Sequence, residues 1–142
     1  MEDAQMDPRW ARRAQWAGRV FLAVIFVLSG AGKLYTWKTT AAFAAAQGVP
    51  AFALAGATAL ELAGGLSLLT GYKLRWGVAA LLVFLVPVTL VFHNFWAFQG
   101  EQQQLQLAMF LKNLAIAGGL LVVLSTQPAA QESPVVGPKP AT

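Results

Sequence analysis

The chain has 142 residues, of which 57% are hydrophobic and only 11% are charged. Because a soluble domain carries about a quarter charged residues, this sequence lacks the charge to cover a surface in water, and it predicts an integral membrane protein. It contains no cysteine, which excludes disulfide, thiol-redox, thiolate-zinc and iron–sulfur chemistry on this chain. The net charge of +4 does not indicate nucleic-acid binding, because the basic residues cluster at the ends of apolar runs.

The first of these apolar runs extends from residue 17 to residue 35 and follows a basic segment, 1–16, that we expect to be cytoplasmic. An apolar helix of about 20 residues is long enough to cross the hydrocarbon core of a bilayer. Arginines followed by VFLAVIFVL and the small residues SGAG also resemble a secretory signal peptide. We favour a membrane span, because the helical segment continues to Lys33 and Tyr35 and three further apolar segments follow.

A short interfacial helix is expected in the connection after the first span. It would begin near two threonines and end at Gly48, just ahead of Pro50. The other spans are predicted at 51–70, 76–98 and 105–125. The links GYKLR and QGEQQQ are short and polar, which is typical of antiparallel helical hairpins. The predicted fold class is therefore all-α, a four-helix transmembrane bundle.

The orientation of the bundle follows from the lysines and arginines near the span ends. Six of them lie in the N-terminal flank or between the second and third spans: Arg9, Arg12, Arg13, Arg19, Lys73 and Arg75. The opposite side holds Lys38, so both termini are predicted to be cytoplasmic. The last segment, 126–142, is rich in proline and small residues and is expected to be a disordered tail.

Ionisable side chains inside the spans are the strongest functional signal, because each is energetically costly there. They are Lys33, Glu61, His93 and Lys112. At a rise of about 1.5 Å per residue, Glu61 lies near the midplane and the other three belong to the outer half of the bilayer. Their common level predicts a shared polar site.

Small residues indicate which way two of these side chains point. Lys112 shares a helical stripe with Ala108, and Glu61 shares one with Ala57 and Gly64. Because small residues mark close helix contacts in membranes, Glu61 and Lys112 are expected to point into the bundle and to form an ion pair. The pair could serve only to fix the helix register, or it could belong to a ligand, proton or partner site.

The remaining polar residues have two readings each. Lys33 shares a face with Ser29 and could instead extend to the outer headgroups. His93, next to Asn94, could pack at the interface or line the site, and Asn113 extends the polar region towards Gln106. A single histidine supplies neither a bis-histidine haem nor an all-protein metal site, and no catalytic nucleophile is visible.

Four segments in order resemble the DoxX family of small bacterial membrane proteins over residues 18–125: LAVIFVLSGAGKL, GVPAFALAGATALELAGGLSLLTGYKLRWGVAALL, FHNFW and QLAMFLKNLAIAGGLLVV. The resemblance implies a four-helix bundle in the bacterial inner membrane. Family members have been linked to the membrane subunit of thiosulfate:quinone oxidoreductase and to oxidoreductase assemblies that handle oxidative stress. By position, the family's intramembrane polar residues correspond here to Lys33, Glu61, His93, Asn94, Lys112 and Asn113. The resemblance identifies no catalytic residue.

Three functions follow as hypotheses. The first is a redox-associated membrane subunit, an accessory rather than a self-sufficient catalyst, whose polar site binds a quinone or contacts a redox-enzyme partner. In that hypothesis Lys112 and His93 bind a quinone carbonyl and Glu61 carries a proton. The second is a non-catalytic scaffold or assembly factor. The third is a solute or proton pathway, which would need a homo-oligomer because the chain has no inverted repeat.

Overall fold

A computed structural model describes residues 7–127 of the chain. All regular structure within that range is helical, which confirms the predicted all-α class. The helices are α1 (Pro8–Tyr35), α2 (Trp37–Ala46), α3 (Ala51–Thr70), α4 (Leu74–Phe92) and α5 (Gly100–Ser125), and a short 3-10 helix at Phe95–Ala97 follows α4. Four of these helical segments are long and apolar enough to cross a membrane, and α2 is the short helix between the first two. The predicted tail from residue 128 onwards, and residues 1–6 of the basic segment, lie outside the described residues.

α1 begins earlier than the predicted start of the first span at residue 17. Asp7 accepts a hydrogen bond of 2.8 Å from the Arg9 N–H, and Pro8 occupies the first helical position. An aspartate cap followed by proline is a strong helix start. The resulting 28 residues give a helix about 42 Å long, which is longer than the hydrocarbon core of about 30 Å requires.

Tight turns connect the later helices. Gly71 ends α3 with a φ of 78°, in the left-handed region that glycine adopts without strain. α4 then starts at Leu74, so α3 and α4 form the predicted antiparallel hairpin. α4 ends at Phe92, before residue 98, because the chain leaves the helix at His93 and forms the 3-10 turn.

The helices have a fixed order of neighbours. Among the described helices, α1 packs on α3, α3 packs on α4 and α4 packs on α5, whereas α3 and α5 lie diagonally across the bundle without contact. Glycines allow the closest approaches: a Cβ at Gly64 in α3 would lie 2.9 Å from the carbonyl oxygen of Gly77 in α4, and it would overlap Leu81. Small residues therefore set the α3–α4 distance, as is common between membrane helices.

The hydrophobic core fills the half of the bundle nearest the α3–α4 turn. We call this half the basic end, because Arg19 lies beside Gly71 there, and we call the opposite half the α2 end. The buried core residues come from α1, α3, α4 and α5: Ala23, Phe26, Leu68, Leu74, Val78, Leu81, Phe84, Leu85 and Leu120. Many large apolar side chains on the outside stay exposed, among them Phe21 and Trp76. They give the bundle the apolar surface that contact with lipid requires.

The glycine contact between α3 and α4 predicts a specific loss of stability. Gly64→Ala should lower the free energy of unfolding by about 1–3 kcal/mol, because the added methyl group overlaps Leu81 and crowds the Gly77 carbonyl. Gly56→Ala on the same helix is the matched control, since nothing lies within 4 Å of a Cβ there. Thermal unfolding in detergent measures both variants. Equal unfolding temperatures would contradict the packing.

Candidate functional site in the α2 half of the bundle

A partly buried ion pair joins α1 to α3. The Lys33 Nζ lies 2.7 Å from Glu61 Oε2 and also donates a 2.7 Å hydrogen bond to Ser29 Oγ. Glu61 is 2% exposed. The lysine ammonium lies 5.8 Å from the centroid of the Phe84 ring, within the range of a cation–π contact. The predicted common face of Ser29 and Lys33 is thus confirmed, and Lys33 points into the bundle rather than to the headgroups.

The position of Gly30 explains how the two helices come close enough for this pair. A Cβ on Gly30 would lie 2.6 Å from Leu62 Cδ2 and 3.5 Å from Glu61 Oε2. A larger residue at this position would therefore collide with the Leu62 side chain and would lie in contact with the Glu61 carboxylate. A glycine one turn before Lys33 lets α1 rest directly on the part of α3 that carries Glu61.

The predicted ion pair between Glu61 and Lys112 is wrong. Within residues 7–127, the only hydrogen bond of Lys112 Nζ is a 3.4 Å contact with the sulfur of Met109, which lies on the same helix. The reason lies in the helix order, because α5 is diagonal to α3 whereas α1 is the direct neighbour of α3. Helix periodicity predicted that both side chains face inwards, but Lys112 is at an exposed position of α5, and periodicity could not show which helices are adjacent.

Two polar contacts join α4 to α5. Asn113 is 6% exposed and donates a 2.9 Å hydrogen bond to Thr89 Oγ1. The Thr89 hydroxyl in turn donates to the carbonyl of Leu85, at 2.6 Å. One turn further towards the α2 end, His93 Nδ1 lies 3.0 Å from Gln106 Oε1. Asn113 therefore pairs across the interface, and Gln106 binds the histidine.

A cavity of about 490 Å³ lies between these contacts, in the half of the bundle not filled by the hydrophobic core. Its wall is mostly apolar and includes Phe43 and Ala44 of α2, which the sequence analysis did not predict. Phe43 stacks on Phe92 with ring centroids 5.7 Å apart, so α2 covers the cavity. The polar side chains in the wall are Ser29, Lys33, Thr40, Glu61, His93, Gln106, Lys112 and Asn113.

Five of the six residues predicted for the site line this cavity, and Asn94 does not. Asn94 lies just before the 3-10 helix, where its carbonyl accepts a hydrogen bond of 2.9 Å from the Ala97 N–H. Its contact in the structure is therefore within the turn between α4 and α5. His93 directly follows the last residue of α4 and still lines the cavity, whereas Asn94, one residue further, belongs to the turn that leads into the 3-10 helix.

The side of the cavity between α1 and α5 is the least closely packed. Near the basic end the two helices touch, and a Cβ on Gly119 of α5 would lie 3.4 Å from Leu22 of α1. Towards the α2 end, Ser29 and Lys33 of α1 line the cavity together with Lys112 and Asn113 of α5. In residues 7–127 no side-chain hydrogen bond joins these two helices. The cavity thus separates α1 from α5 at the level of the two lysines.

The described residues hold no group of three or more histidine, cysteine, aspartate or glutamate side chains that could bind a metal ion. The chemistry that the cavity offers is hydrogen bonding and charge: an ion pair, a further ammonium group, an imidazole and two amides around an apolar space.

The family model of DoxX matches residues 14–94, more than half of the chain. The chain belongs to the DoxX family. The matched residues include Lys33, Glu61 and His93, whereas Lys112 and Asn113 lie on α5, beyond the match.

This DoxX-family protein is also similar to two curated proteins of Escherichia coli (strain K12). It is 32% identical to Inner membrane protein YqjF over 79% of this chain and 82% of the relative. It is 25% identical to Inner membrane protein YphA over 79% of this chain and 81% of the relative. No solved structure matches the chain. The family match, the relatives and the four apolar helices together identify an integral, multi-pass inner-membrane protein of the DoxX family.

The position of the ion pair predicts the result of double-mutant cycles. Lys33→Met should lower the free energy of unfolding by about 3–5 kcal/mol, because it leaves the buried Glu61 charge without its partner. Glu61→Leu should cost less, because Lys33 is partly exposed and keeps its hydrogen bond to Ser29. The double variant should lose less than the sum of the two. The cycle of Lys112→Met with Glu61→Leu should be additive within about 0.5 kcal/mol, since these residues do not touch. Unfolding in detergent measures both cycles, and a larger coupling for Lys112 than for Lys33 would refute the assigned pairing.

Proposed function

We propose that this DoxX-family protein is the membrane subunit or anchor of a quinone-linked or oxidative-stress-related oxidoreductase assembly, and that its cavity binds a quinone ring. The observation that supports this proposal most directly is Lys112. Lys112 contributes a cation to the wall of an apolar cavity, and its ammonium group donates its hydrogen bond within residues 7–127 to the sulfur of Met109. A charge in a membrane helix is costly, so a ligand oxygen that accepts a hydrogen bond from Lys112 would offset that cost.

The size and lining of the cavity suit a quinone. About 490 Å³ falls within the usual range for small-molecule sites. A quinone ring is flat and apolar and carries two carbonyl oxygens on opposite sides, so it needs apolar walls and separate hydrogen-bond donors. Phe26, Phe84 and Phe92 supply aromatic wall, and Lys112 supplies a donor on the α5 side.

His93 and Glu61 supply the proton-handling groups of the proposal. If Gln106 Oε1 accepts a hydrogen bond from His93 Nδ1–H, the neutral ring presents Nε2 as an acceptor. Glu61 accepts the hydrogen bond from Lys33 through Oε2, and its Oε1 accepts none from residues 7–127. Two acceptors in the same cavity are suited to take protons from a quinol as it is oxidised, while the electrons leave to the partner enzyme.

Access to the cavity is proposed to run from the lipid phase. A quinone dissolves in the hydrocarbon region, and α1 and α5 are separated at the level of Lys33 and Lys112. The core residues Leu68, Val78 and Leu81 fill the basic end of the bundle. A lipid-soluble ligand therefore reaches the site sideways, and the packed half favours a binding site over a solute or proton pathway through one chain.

Quinone binding is tested by thermal unfolding and tryptophan fluorescence of the full chain with ubiquinone-1. We expect the quinone to raise the unfolding temperature of the wild-type protein. Lys112→Met should weaken binding at least about tenfold, since a hydrogen bond to a charged group contributes about 1.5–3 kcal/mol. Ala57→Phe should abolish binding, because Ala57 lines the cavity.

Two controls accompany these variants. Ala55→Phe, on an exposed position of the same helix, should bind quinone as the wild type does. Lys38→Met removes a lysine outside the cavity lining. No thermal shift with ubiquinone-1 in any variant, or equal affinity in all of them, would overturn the proposed quinone site.

A second function, a non-catalytic scaffold or assembly factor, is favoured by a different observation. Lys33 and Glu61 satisfy each other and join the closely packed helices α1 and α3. A pair of this kind serves the fold without any ligand. Under this alternative, Ala57→Phe would leave the capture of partner proteins unchanged, because only the cavity is altered.

Both termini are proposed to face the cytoplasm, because six lysines and arginines lie near the basic end. The chain has no cysteine, so single cysteines report topology without background. A membrane-impermeant maleimide should label Gln103→Cys, at the start of α5, in intact spheroplasts. Tyr72→Cys, in the exposed α3–α4 turn, should react only after permeabilisation. The reverse labelling pattern would overturn the proposed orientation.

A further inference from the structure

At the basic end, the first turns of α1 extend past the α3–α4 hairpin. Arg19 marks the level where α3 ends, because a Cβ on Gly71 would lie 3.0 Å from Arg19 Nη1. α1 starts at Pro8, so about 16 Å of helix precedes Arg19 at a rise of 1.5 Å per residue. This segment contributes nothing to the cavity or to the ion pair, and its role is not explained by the proposed function.

Arginines line one face of this segment. Arg9, Arg12, Trp16 and Arg19 follow one another at spacings of three or four residues, so their side chains lie on the same side of the helix. Arg9, Arg12, Arg13 and Trp16 surround a depression on the helix surface. In residues 7–127 no carboxylate forms an ion pair with these arginines, and Asp7 accepts its hydrogen bond from the Arg9 backbone N–H. We call Arg9, Arg12, Arg13, Trp16 and Arg19 the arginine face.

Arg19 adds an independent observation. Its Nε atom is buried and has no hydrogen-bond partner among the described residues. The guanidinium rests against Gly71, where a glycine leaves the room that a side chain would occupy. A buried N–H without an acceptor is unfavourable, so the described residues leave the Arg19 guanidinium incompletely satisfied, and its terminal N–H groups remain available to an acceptor oxygen.

The level of the arginine face in the membrane determines which acceptor is available. α3 ends at Thr70, and Trp16 and Trp76 are exposed near the same end of the bundle. Exposed tryptophans mark the boundary between hydrocarbon and headgroups. Arg19 therefore lies at this boundary, and the arginines before it lie among the headgroups, where lipid phosphates are the abundant oxygen anions.

We propose that the arginine face is a binding site for the phosphodiester of an anionic phospholipid, with Arg12 and Arg19 as its principal ligands. Guanidinium groups bind phosphate oxygens through two parallel N–H donors, which gives geometry as well as charge. A lipid phosphate oxygen would accept hydrogen bonds from the terminal N–H groups of Arg19, because Nε itself is buried. The bound lipid would connect the extended part of α1 to the α3–α4 turn, where Lys73 adds a further positive charge.

The proposal is tested with the full chain in detergent, using native mass spectrometry and thermal unfolding with three probes. Dioleoylphosphatidylglycerol should bind the wild type at least tenfold more tightly than dioleoylphosphatidylcholine, which has the same chains and no net charge. Inorganic phosphate should bind far more weakly, because it lacks the acyl chains. Equal stabilisation by inorganic phosphate would identify a free-anion site and overturn the lipid assignment.

Variants locate the site. Arg12→Gln, at an exposed position, and Arg19→Gln should each lower the affinity for phosphatidylglycerol about tenfold, which corresponds to 1.4 kcal/mol, and the preference over phosphatidylcholine should fall. Lys38→Gln removes one positive charge near the α2 end and is the matched control. Wild-type affinity in the Arg12→Gln variant, or an equal loss in Lys38→Gln, would overturn the proposal. Neither result depends on whether the cavity binds quinone.

Discussion

The ion pair between Lys33 and Glu61 is the interaction on which the rest of the structure depends. A carboxylate that is 2% exposed, in the middle of a membrane helix, needs a cation within hydrogen-bond distance. Lys33 provides it at 2.7 Å and is itself held by Ser29. This requirement fixes the rotation of α1 and α3 about their axes, because only one face of each helix can take part. Gly30 then sets how closely the helices approach.

The rotation fixed by the pair has a consequence for the opposite side of the bundle. With α1 held against α3, α5 packs on α4 through Asn113–Thr89 and His93–Gln106, and its contact with α1 lies near the basic end. The two halves of the bundle therefore differ. One is filled with leucine, valine and phenylalanine, and the other keeps a cavity with polar groups on several walls. A packed half gives rigidity, and a polar cavity beside it gives a place for a ligand.

The two ends of the bundle also differ in structure. At the α2 end, α2 covers the cavity through the Phe43–Phe92 stack. At the basic end, the extension of α1 carries the arginine face beyond the α3–α4 turn. The cavity and the arginine face occupy different levels of α1, because the cavity lining begins at Ile25, about 9 Å along the helix from Arg19 at a rise of 1.5 Å per residue.

The sequence predicted the class of the protein because hydropathy depends on composition. Four apolar segments and too little charge leave no soluble alternative. The helix stop at Gly48 could be predicted because glycine adopts a positive φ without strain. Asp7 and Pro8 are also a sequence signal for the early start of α1. The predicted span began later, because it was placed by hydropathy and the residues after Pro8 include arginines.

For the polar side chains, the sequence predicted helix faces but not interaction partners. Periodicity predicted that Glu61 and Lys112 face inwards; both contribute to the cavity wall, although Lys112 stands at an exposed position. Periodicity could not give partners, because a helix face is a local property whereas helix adjacency is a property of the whole bundle. The sequence by itself determined an all-helical membrane protein with charged groups at one level of its interior. Only the tertiary structure decided that Glu61 binds Lys33 rather than Lys112, because α1 is the neighbour of α3 and α5 is not.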